Sequence, residues 1–170
     1  LAECVSFCGM CGAEVICASG HESLERYPLY TTVLEMRGEA TVDRSSLKSL
    51  FPVTEATVSR WRAFYNEKMR DVDNAATLSA WDEKKILNSN AYFIHHQGQL
   101  LGIGWLEGTK LLAVAAEPGM GARVMHTMMS LVEGSAMSLE VASTNVRAIR
   151  LYERLGFLKT ALVSRWYRVC

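Results

Sequence analysis

Two side chains near the C-terminal end of the chain have the types needed for acid–base chemistry, Glu140 and Tyr152. A carboxylate can accept a proton from an ammonium group, and a phenol can donate one to a leaving group. Both follow a glycine turn, Gly119-Met120-Gly121, which precedes an amphipathic segment. Because a helix that begins at such a turn presents free N–H groups and its positive dipole end, the turn predicts a phosphate-binding site.

The elements that must position these residues can be predicted from the last third of the chain. Apolar runs alternate there with amphipathic stretches, a pattern that predicts strands and helices in alternation. Strands are expected at 110–116, 137–142 and 157–169. Helices are expected at 122–132, with Val124, Met125, Met128 and Leu131 facing inward, and at 145–155. Gly156 has the position of a helix C-cap.

The preceding residues predict further strands and helices of the same kind. A strand is expected at 30–36, closed by Gly38, and a hairpin at 91–96 and 99–106. Helices are expected around Leu47, Leu50 and Phe51, after Thr54, and at 77–87. The whole order predicts a mixed sheet with helices on its faces.

The composition limits the class of protein. The chain has 170 residues, of which 49% are hydrophobic and 21% charged, as expected of one globular domain and not of a disordered chain. Lys and Arg total 18 and Asp and Glu total 18, so the basic excess of a nucleic-acid-binding protein is missing. No apolar run is long enough for a bilayer and no signal sequence is evident, which predicts a cytoplasmic protein without a membrane partner. Leu1 at the start is consistent with processing or with the C-terminal part of a longer chain.

Five cysteines give an odd count, which favours reduced thiols over a disulfide framework. Cys4, Cys8 and Cys11 have a C-x3-C-x2-C spacing that holds an iron–sulfur cluster in some enzymes. The same spacing places all three on one face of a helix, where cysteine packs as a small buried hydrophobe. We expect no metal, although a metal or cluster protein remains an alternative. His95 and His96 are adjacent on a predicted strand, so they should point to opposite faces and form a poor metal pair.

A longer motif surrounds Tyr152. Residues 145–157 match N-x-x-A-x-x-L-Y-E-x-x-G-F at every fixed position, from Asn145 to Gly156-Phe157. The motif and the order of elements over residues about 41–170 resemble the GNAT superfamily of acyl-CoA-dependent N-acetyltransferases. The resemblance implies an α/β fold (an α+β mixed sheet) with a central, mostly antiparallel sheet, a V-shaped splay between two strands, and helices on both faces. Residues 1–40 lie outside it and are expected to be an N-terminal helix–strand segment, the remnant of a longer N-terminal half.

The resemblance also implies a position for acetyl-CoA as co-substrate, in the V between two strands. It implies that backbone groups bind the pantetheine and the pyrophosphate and that one amide side chain binds the cofactor arm; the residues are Val114, Ala115, Gly119, Met120, Gly121 and Asn145. Arg123, Arg147 and Arg150 could reach the phosphates but are equally well explained as surface residues. Asn145 can also act as a helix N-cap.

The resemblance assigns the chemistry to Tyr152 and Glu140. Tyr152 would serve the leaving thiolate as an acid, and a free amine would attack the thioester directly. Leu139-Glu140-Val141 is similar to a segment of ribosomal-protein N-terminal acetyltransferases that supplies a proton-relaying glutamate, so Glu140 is the candidate base. The alternatives are a Tyr152 that packs beside Leu151 and a Glu140 that is solvated or paired with a nearby arginine.

The resemblance also implies the acceptor and the partners. The acceptor is expected to be a primary amine, on a small molecule or a protein N-terminus, and a homodimer is a further possibility. Trp61, Tyr65 and Trp105 could line an acceptor pocket, although the helical spacing of the first two favours a core position. The phosphate turn departs from the family, since Ala116 replaces a Gln or Arg and Glu117 adds a negative charge. A non-catalytic acyl-CoA-binding or structural domain of a larger protein is therefore the alternative function.

Overall fold

The computed structural model describes residues 2–41, 43–73 and 75–170. Within these residues the chain forms eight strands: β1 (Cys17–Ser19), β2 (Leu29–Glu39), β3 (Ser49–Pro52), β4 (Asn90–His96), β5 (Gln99–Glu107), β6 (Lys110–Ala116), β7 (Ala136–Ala142) and β8 (Leu158–Arg168). It also forms five α-helices: α1 (Ala2–Met10), α2 (Val58–Met69), α3 (Glu83–Leu87), α4 (Gly121–Met129) and α5 (Val146–Arg154). Among these residues, no helix is long and apolar enough to cross a lipid bilayer.

The strands form one sheet in the order β1-β8-β2-β7-β6-β5-β4-β3. Neighbouring strands are antiparallel except β6 and β7, which are parallel. β6 and β7 pair only at two positions, the first two residues of β6 with the middle of β7: Lys110 with Ser138 and Leu111 with Leu139. Beyond this point the two strands no longer pair, so a V-shaped gap opens toward Ala116 and Ala142. The predicted mixed, mostly antiparallel sheet with a splay is confirmed.

One face of the sheet is covered by α2 and α3. Trp61 of α2 is fully buried, and its indole N–H donates to the Tyr92 carbonyl at 3.1 Å. Its ring stacks on Tyr65 at 6.0 Å between centroids and meets Trp105 edge-on at 6.2 Å. These three aromatic side chains therefore form a core, as their helical spacing favoured, and do not line an acceptor pocket.

The other face is covered by α4 and α5. Their apolar residues pack with side chains from β2, β5, β6 and β7; the fully buried members include Met36, Val124, Met128, Met137 and Phe157. β5 is closely packed at two glycines, by β6 and α4 at Gly102 and by α4 at Gly104. A Cβ on Gly102 would lie 2.4 Å from the Ala115 carbonyl oxygen, and one on Gly104 would lie 2.3 Å from the Met128 sulfur. Helices on both faces were predicted and are confirmed.

Several predicted elements are wrong in detail. The helix expected around Leu47, Leu50 and Phe51 is a short 3-10 turn capped by Asp43, followed by β3, because pairing with β4 outweighs the local spacing. Gly38 lies inside β2, where a Cβ would stand only 3.0 Å from the Phe157 ring, so the glycine leaves room for that side chain.

Two predicted helices also differ from those observed. The helix expected at 77–87 is a 3-10 turn followed by the five-residue α3. Leu131, expected to face inward, follows the end of α4 and is 38% exposed, because a 3-10 turn at 130–132 changes the direction of its side chain.

The N-terminal segment takes part in this same sheet. β2 hydrogen bonds to both β7 and β8, so the sheet runs across the expected boundary at residue 40. The division at that residue stays a prediction. α1 has no buried residues; Cys4 on it and Cys11 just after it are exposed. The expectation that these cysteines pack as buried hydrophobes is therefore wrong, because no other described element covers their side of the helix.

Candidate functional site

The gap between β6 and β7 leaves the edge of β6 open. On its other edge β6 pairs with β5, Val114 opposite Gly104 and Ala115 opposite Ile103. Toward β7, pairing ends at Leu111, so the following backbone groups have no neighbouring strand. Val114 and Ala115 thus lie where an extended ligand could hydrogen bond like an added strand.

The glycine turn lies at the wide end of this gap. The Met120 N–H donates to the Glu117 carbonyl at 2.9 Å, which closes a turn with Pro118 and Gly119 at its centre. Gly119 has φ +80°, which a type II turn requires at its third position and which glycine adopts without strain. α4 begins at Gly121 with no side-chain cap, so the N–H groups of its first turn have no intrahelical partner. These groups fit an anion such as a pyrophosphate.

The negative charge of Glu117 beside this turn is balanced by an ion pair. Lys68, near the end of α2, donates to its carboxylate at 2.8 Å. This hydrogen bond is the main reason that the pKa of Lys68 is raised. The negative charge that the sequence placed beside the phosphates is therefore balanced by a lysine 49 positions earlier in the chain.

Asn145 lies at the opposite side of the gap, where β7 leads into α5. Its side-chain oxygen accepts a hydrogen bond from the Ala148 N–H at 3.1 Å, so it caps α5. Next to it, buried Thr31 contacts the hydroxyls of Ser143 at 3.3 Å and Thr144 at 3.2 Å. The cap is confirmed, and the contact of Asn145 with a cofactor arm stays a prediction.

Tyr152 lies on α5, between the helix and the sheet. Its ring contacts Phe157 at 6.0 Å between centroids and belongs to the same core as Leu139 and Val141. Burial raises the pKa of Tyr152 to about 12. No described residue accepts a hydrogen bond from its hydroxyl, so the phenol keeps its proton and remains free to donate.

The end of α5 fixes the position of Tyr152. The Phe157 N–H donates to the Tyr152 carbonyl at 2.9 Å, and the Gly156 N–H donates to the Glu153 carbonyl at 3.1 Å. With Gly156 at φ +88°, these bonds form a Schellman cap. The predicted C-cap is confirmed, and it explains why the Gly-Phe pair stands so close to the tyrosine.

Glu140 lies on the other face of the sheet. Leu139 and Val141 share the core with Tyr152, so the alternation along β7 directs Glu140 toward the α2 face. Its carboxylate accepts a hydrogen bond from Lys110 at 2.5 Å, and it stands directly opposite Glu35 on β2. Glu140 is thus ion-paired, with a lysine in place of the arginine considered in the alternative. Its catalytic role stays a prediction.

Three contacts of this region were not found from the sequence. The Lys68–Glu117 and Lys110–Glu140 pairs join residues 49 and 30 positions apart. Tyr30 donates a hydrogen bond to Asp73 at 2.6 Å, which is the main reason that the pKa of Tyr30 is raised. This bond ties the segment after α2 to β2, on the far side of the gap. Periodicity along one segment carries no signal for such long-range pairs.

The remaining candidates are the three arginines considered for the phosphates and the side chains that could bind a metal ion. Arg123 and Arg147 lie in the first turns of α4 and α5, and with Arg150 they are exposed. In the part of the chain that the structure describes, no group of three or more His, Cys, Asp or Glu side chains could hold a metal ion.

Comparison with known proteins gives structural similarity without sequence similarity. No protein-family model matches the chain, and no curated protein matches its sequence. A GCN5-related N-acetyltransferase from Anabaena variabilis superposes with a TM-score of 0.67 at 12% identity, over 96% of this chain and 47% of its own. A GNAT-family acetyltransferase from Colwellia psychrerythraea gives 0.60 at 12% identity, over 91% and 64%. A GNAT-family protein from Novosphingobium aromaticivorans gives 0.55 at 18% identity, over 92% and 73%.

These similarities cover nearly the whole chain, whereas the chain spans less than two thirds of two of the three neighbours. At such low identity the comparison bears on the fold alone. The chain has the fold of the GNAT acetyltransferases.

Proposed function

We propose that the chain is an N-acetyltransferase that transfers acetyl from acetyl-CoA to a primary amine by direct attack. The observation that carries the proposal is Tyr152, whose buried ring is held by the Schellman cap near an open strand edge and whose hydroxyl has no acceptor among the described residues. The GNAT fold supports the same class of reaction.

Acetyl-CoA would be held by the β6 side of the gap. The open backbone edge at Val114 and Ala115 suits the two amides of the pantetheine arm. The turn at Gly119-Met120-Gly121, with the N-terminal end of α4, suits the pyrophosphate. Asn145 borders the gap from the other side and would contact the arm while it caps α5. Bound in this way, acetyl-CoA supplies the activated thioester.

Tyr152 would act on the leaving thiolate. At a pKa of about 12, the phenol is a weaker acid than a thiol, whose pKa is about 8.5. Complete proton transfer to sulfur would therefore be unfavourable, whereas a hydrogen bond to the departing thiolate is available at any physiological pH. We assign Tyr152 this stabilising donor role, and the thiolate takes its proton from water on release.

Glu140 would act on the amine from the opposite face. The amine nitrogen forms a bond to the acetyl carbon, the carbon–sulfur bond breaks, and the nitrogen loses a proton to the Glu140 carboxylate. Because Glu140 and Tyr152 lie on opposite faces of the sheet, base and donor would approach the thioester from two sides of the gap. Glu35, directly opposite Glu140, is a second carboxylate on this face, and it is ion-paired with Arg37 at 3.3 Å.

The proposal is tested by thiol release from acetyl-CoA with a panel of primary amines. We expect release that depends on the amine and falls about 100-fold in Tyr152→Phe, the usual scale for removing one hydrogen-bond donor to a developing negative charge. Calorimetry should show unchanged acetyl-CoA affinity in this variant. Equal rates in the wild type and in Tyr152→Phe would remove Tyr152 from the mechanism.

A non-catalytic acyl-CoA-binding or structural domain is the second candidate. The observation that favours it is the phosphate turn, where Ala116 offers no polar side chain and the Glu117 carboxylate is already ion-paired with Lys68. This candidate predicts acetyl-CoA binding without thiol release from any amine. A cytoplasmic location and a homodimer are further predictions that the fold does not decide.

A further inference from the structure

A second cavity lies on the α2 face of the sheet, away from the gap. Its volume is about 460 Å³, and it is bounded by β3, β4, β5 and the beginning of α2. This volume is in the range of small-molecule sites. β6 and the body of α2 separate it from β7, so it is not part of the proposed acetyl-CoA site.

The floor of the cavity is apolar and follows from strand register. Phe51 on β3 pairs with Phe93 on β4, and Leu100 on β5 pairs with His95, so all four side chains belong to neighbouring strands and line one cavity. Phe51 is 53% exposed on the edge strand. A large aromatic side chain in this position leaves apolar surface that a ligand could cover.

His95 contributes an unsatisfied polar atom. Its ring meets Phe51 edge-on, with 5.1 Å between centroids, and lies 6.2 Å from Phe93. The Nδ1 atom is buried and has no hydrogen-bond partner among the described residues. Buried polar atoms are normally paired, so an unpaired one on a cavity wall indicates a place for a polar group that the protein itself does not supply.

The rim of the cavity next to α2 is positively charged. Arg60 is exposed, lines the cavity, and has no carboxylate within ion-pair distance in the described part of the chain. Thr57, the N-cap of α2, lines it too, and this helix has no acidic residue in its first turn and no side-chain cap bond. Both features favour a negative charge on an occupant, since a guanidinium binds a carboxylate with two parallel hydrogen bonds.

We propose that this cavity binds a small carboxylate with an aromatic or branched apolar body. Phe51, Phe93 and Leu100 contact the body, Arg60 and the beginning of α2 hold the carboxylate, and a polar atom of the ligand approaches His95. The site is separate from the proposed acyl-transfer site and would bind its ligand independently of acetyl-CoA.

Phenylacetate and its uncharged analogue phenylacetamide test the proposal by ligand-observed NMR titration. We expect phenylacetate to bind with a dissociation constant of about 1 mM or below. Phenylacetamide should bind at least tenfold more weakly, because it cannot pair with a guanidinium. Acetyl-CoA should not compete, which separates this site from the proposed acyl site.

Three variants complete the test. Arg60→Gln should weaken phenylacetate at least tenfold, and the matched control Arg70→Gln, at the other end of α2, should leave it unchanged. Ser49→Phe, on the exposed edge strand, should fill the cavity and abolish binding. If Ser49→Phe does not fold, the two exposed arginine variants still decide the question. Equal binding of acid and amide, or equal effects of the two arginine variants, would overturn the proposal.

Discussion

Tyr152 is the residue on which the proposed chemistry depends most. The Tyr152 side chain is buried, its hydroxyl has no acceptor among the described residues, and burial raises its pKa from 10.0 to about 12. The neutral phenol is therefore favoured in the folded state more than in the unfolded chain. This contribution to stability is complete below pH 10 and is lost as the pH rises toward 12.

Alkaline unfolding should reveal this linkage. Between pH 10 and 12 the wild type should lose about 1.4 kcal/mol of unfolding free energy per pH unit relative to Tyr152→Phe. Urea unfolding of both proteins at several pH values measures the difference, and other groups that titrate in this range cancel. Parallel pH curves for the two proteins would show that the phenol is not buried as described.

Two roles of Glu140, as an ion-pair residue and as a catalytic base, predict different results for Glu140→Gln. Its pair with Lys110 is partly exposed, so Glu140→Gln should change stability by less than about 1 kcal/mol. As a base, its loss should lower kcat by about 100-fold.

Glu35→Gln is the matched control, since Glu35 lies directly opposite Glu140 on the same face. Because the Glu35 carboxylate is already paired with Arg37, Glu35→Gln should leave kcat nearly unchanged. Steady-state kinetics of both variants give the comparison. A similar kcat in the two variants would reduce Glu140 to a surface ion-pair residue.

At the scale of elements, Asn145 has a structural role that can be separated from its proposed contact with the cofactor. Asn145→Ala removes the cap of α5 and should cost about 1 kcal/mol in urea unfolding. Asn145→Ser keeps a capping oxygen and should restore most of this loss. If Asn145 also contacts acetyl-CoA, Asn145→Ser should still bind it more weakly than the wild type by calorimetry. Equal affinity in Asn145→Ser and the wild type would show that Asn145 acts only as the cap of α5.

The contact of α4 with β5 gives a second prediction at this scale. Gly102→Ala would bring a Cβ to 2.4 Å from the Ala115 carbonyl oxygen, a backbone atom that cannot turn aside. We expect a loss of about 1–3 kcal/mol and weaker acetyl-CoA binding, because α4 begins at the phosphate turn. Thermal unfolding and calorimetry measure the two effects.

Two other glycines serve as controls for this prediction. Gly104→Ala meets the flexible Met128 side chain and should cost less than Gly102→Ala, despite an equally short contact. Gly9→Ala meets no atom within 4 Å and should be nearly neutral. The reverse order for Gly102 and Gly104 would contradict the close approach of the β6 backbone to Gly102.

The elements also show where sequence alone was sufficient. α5 was predicted with both its caps, because Asn145 and Gly156 act on backbone groups within four residues. The segment before Pro52 was not, because its apolar spacing fits a helix while pairing with β4, about forty residues later, makes it a strand. Local signals determine caps and turns, whereas strand pairing depends on partners that no short window contains.

At the scale of the whole molecule, the sheet joins the N-terminal and C-terminal parts of the chain. β2 lies between β7 and β8, and Tyr30 connects it to Asp73 across the gap. The sequence predicted strand β2 but not its position between β7 and β8, because a strand's neighbours in a sheet are determined by long-range pairing. For the same reason Glu140 was named from its motif, while its partner Lys110 was found only from the structure.

The central claim is that this fold transfers an acetyl group, and the acetylated amine itself is the most direct evidence. Purified protein, acetyl-CoA and a panel of primary amines, including a peptide with a free N-terminus, are incubated and analysed by mass spectrometry. We predict that at least one amine gains one acetyl group with the wild type, and gains it about 100-fold more slowly with Tyr152→Phe. Tight acetyl-CoA binding with no acetylated product from any amine would contradict the claim and favour the non-catalytic domain.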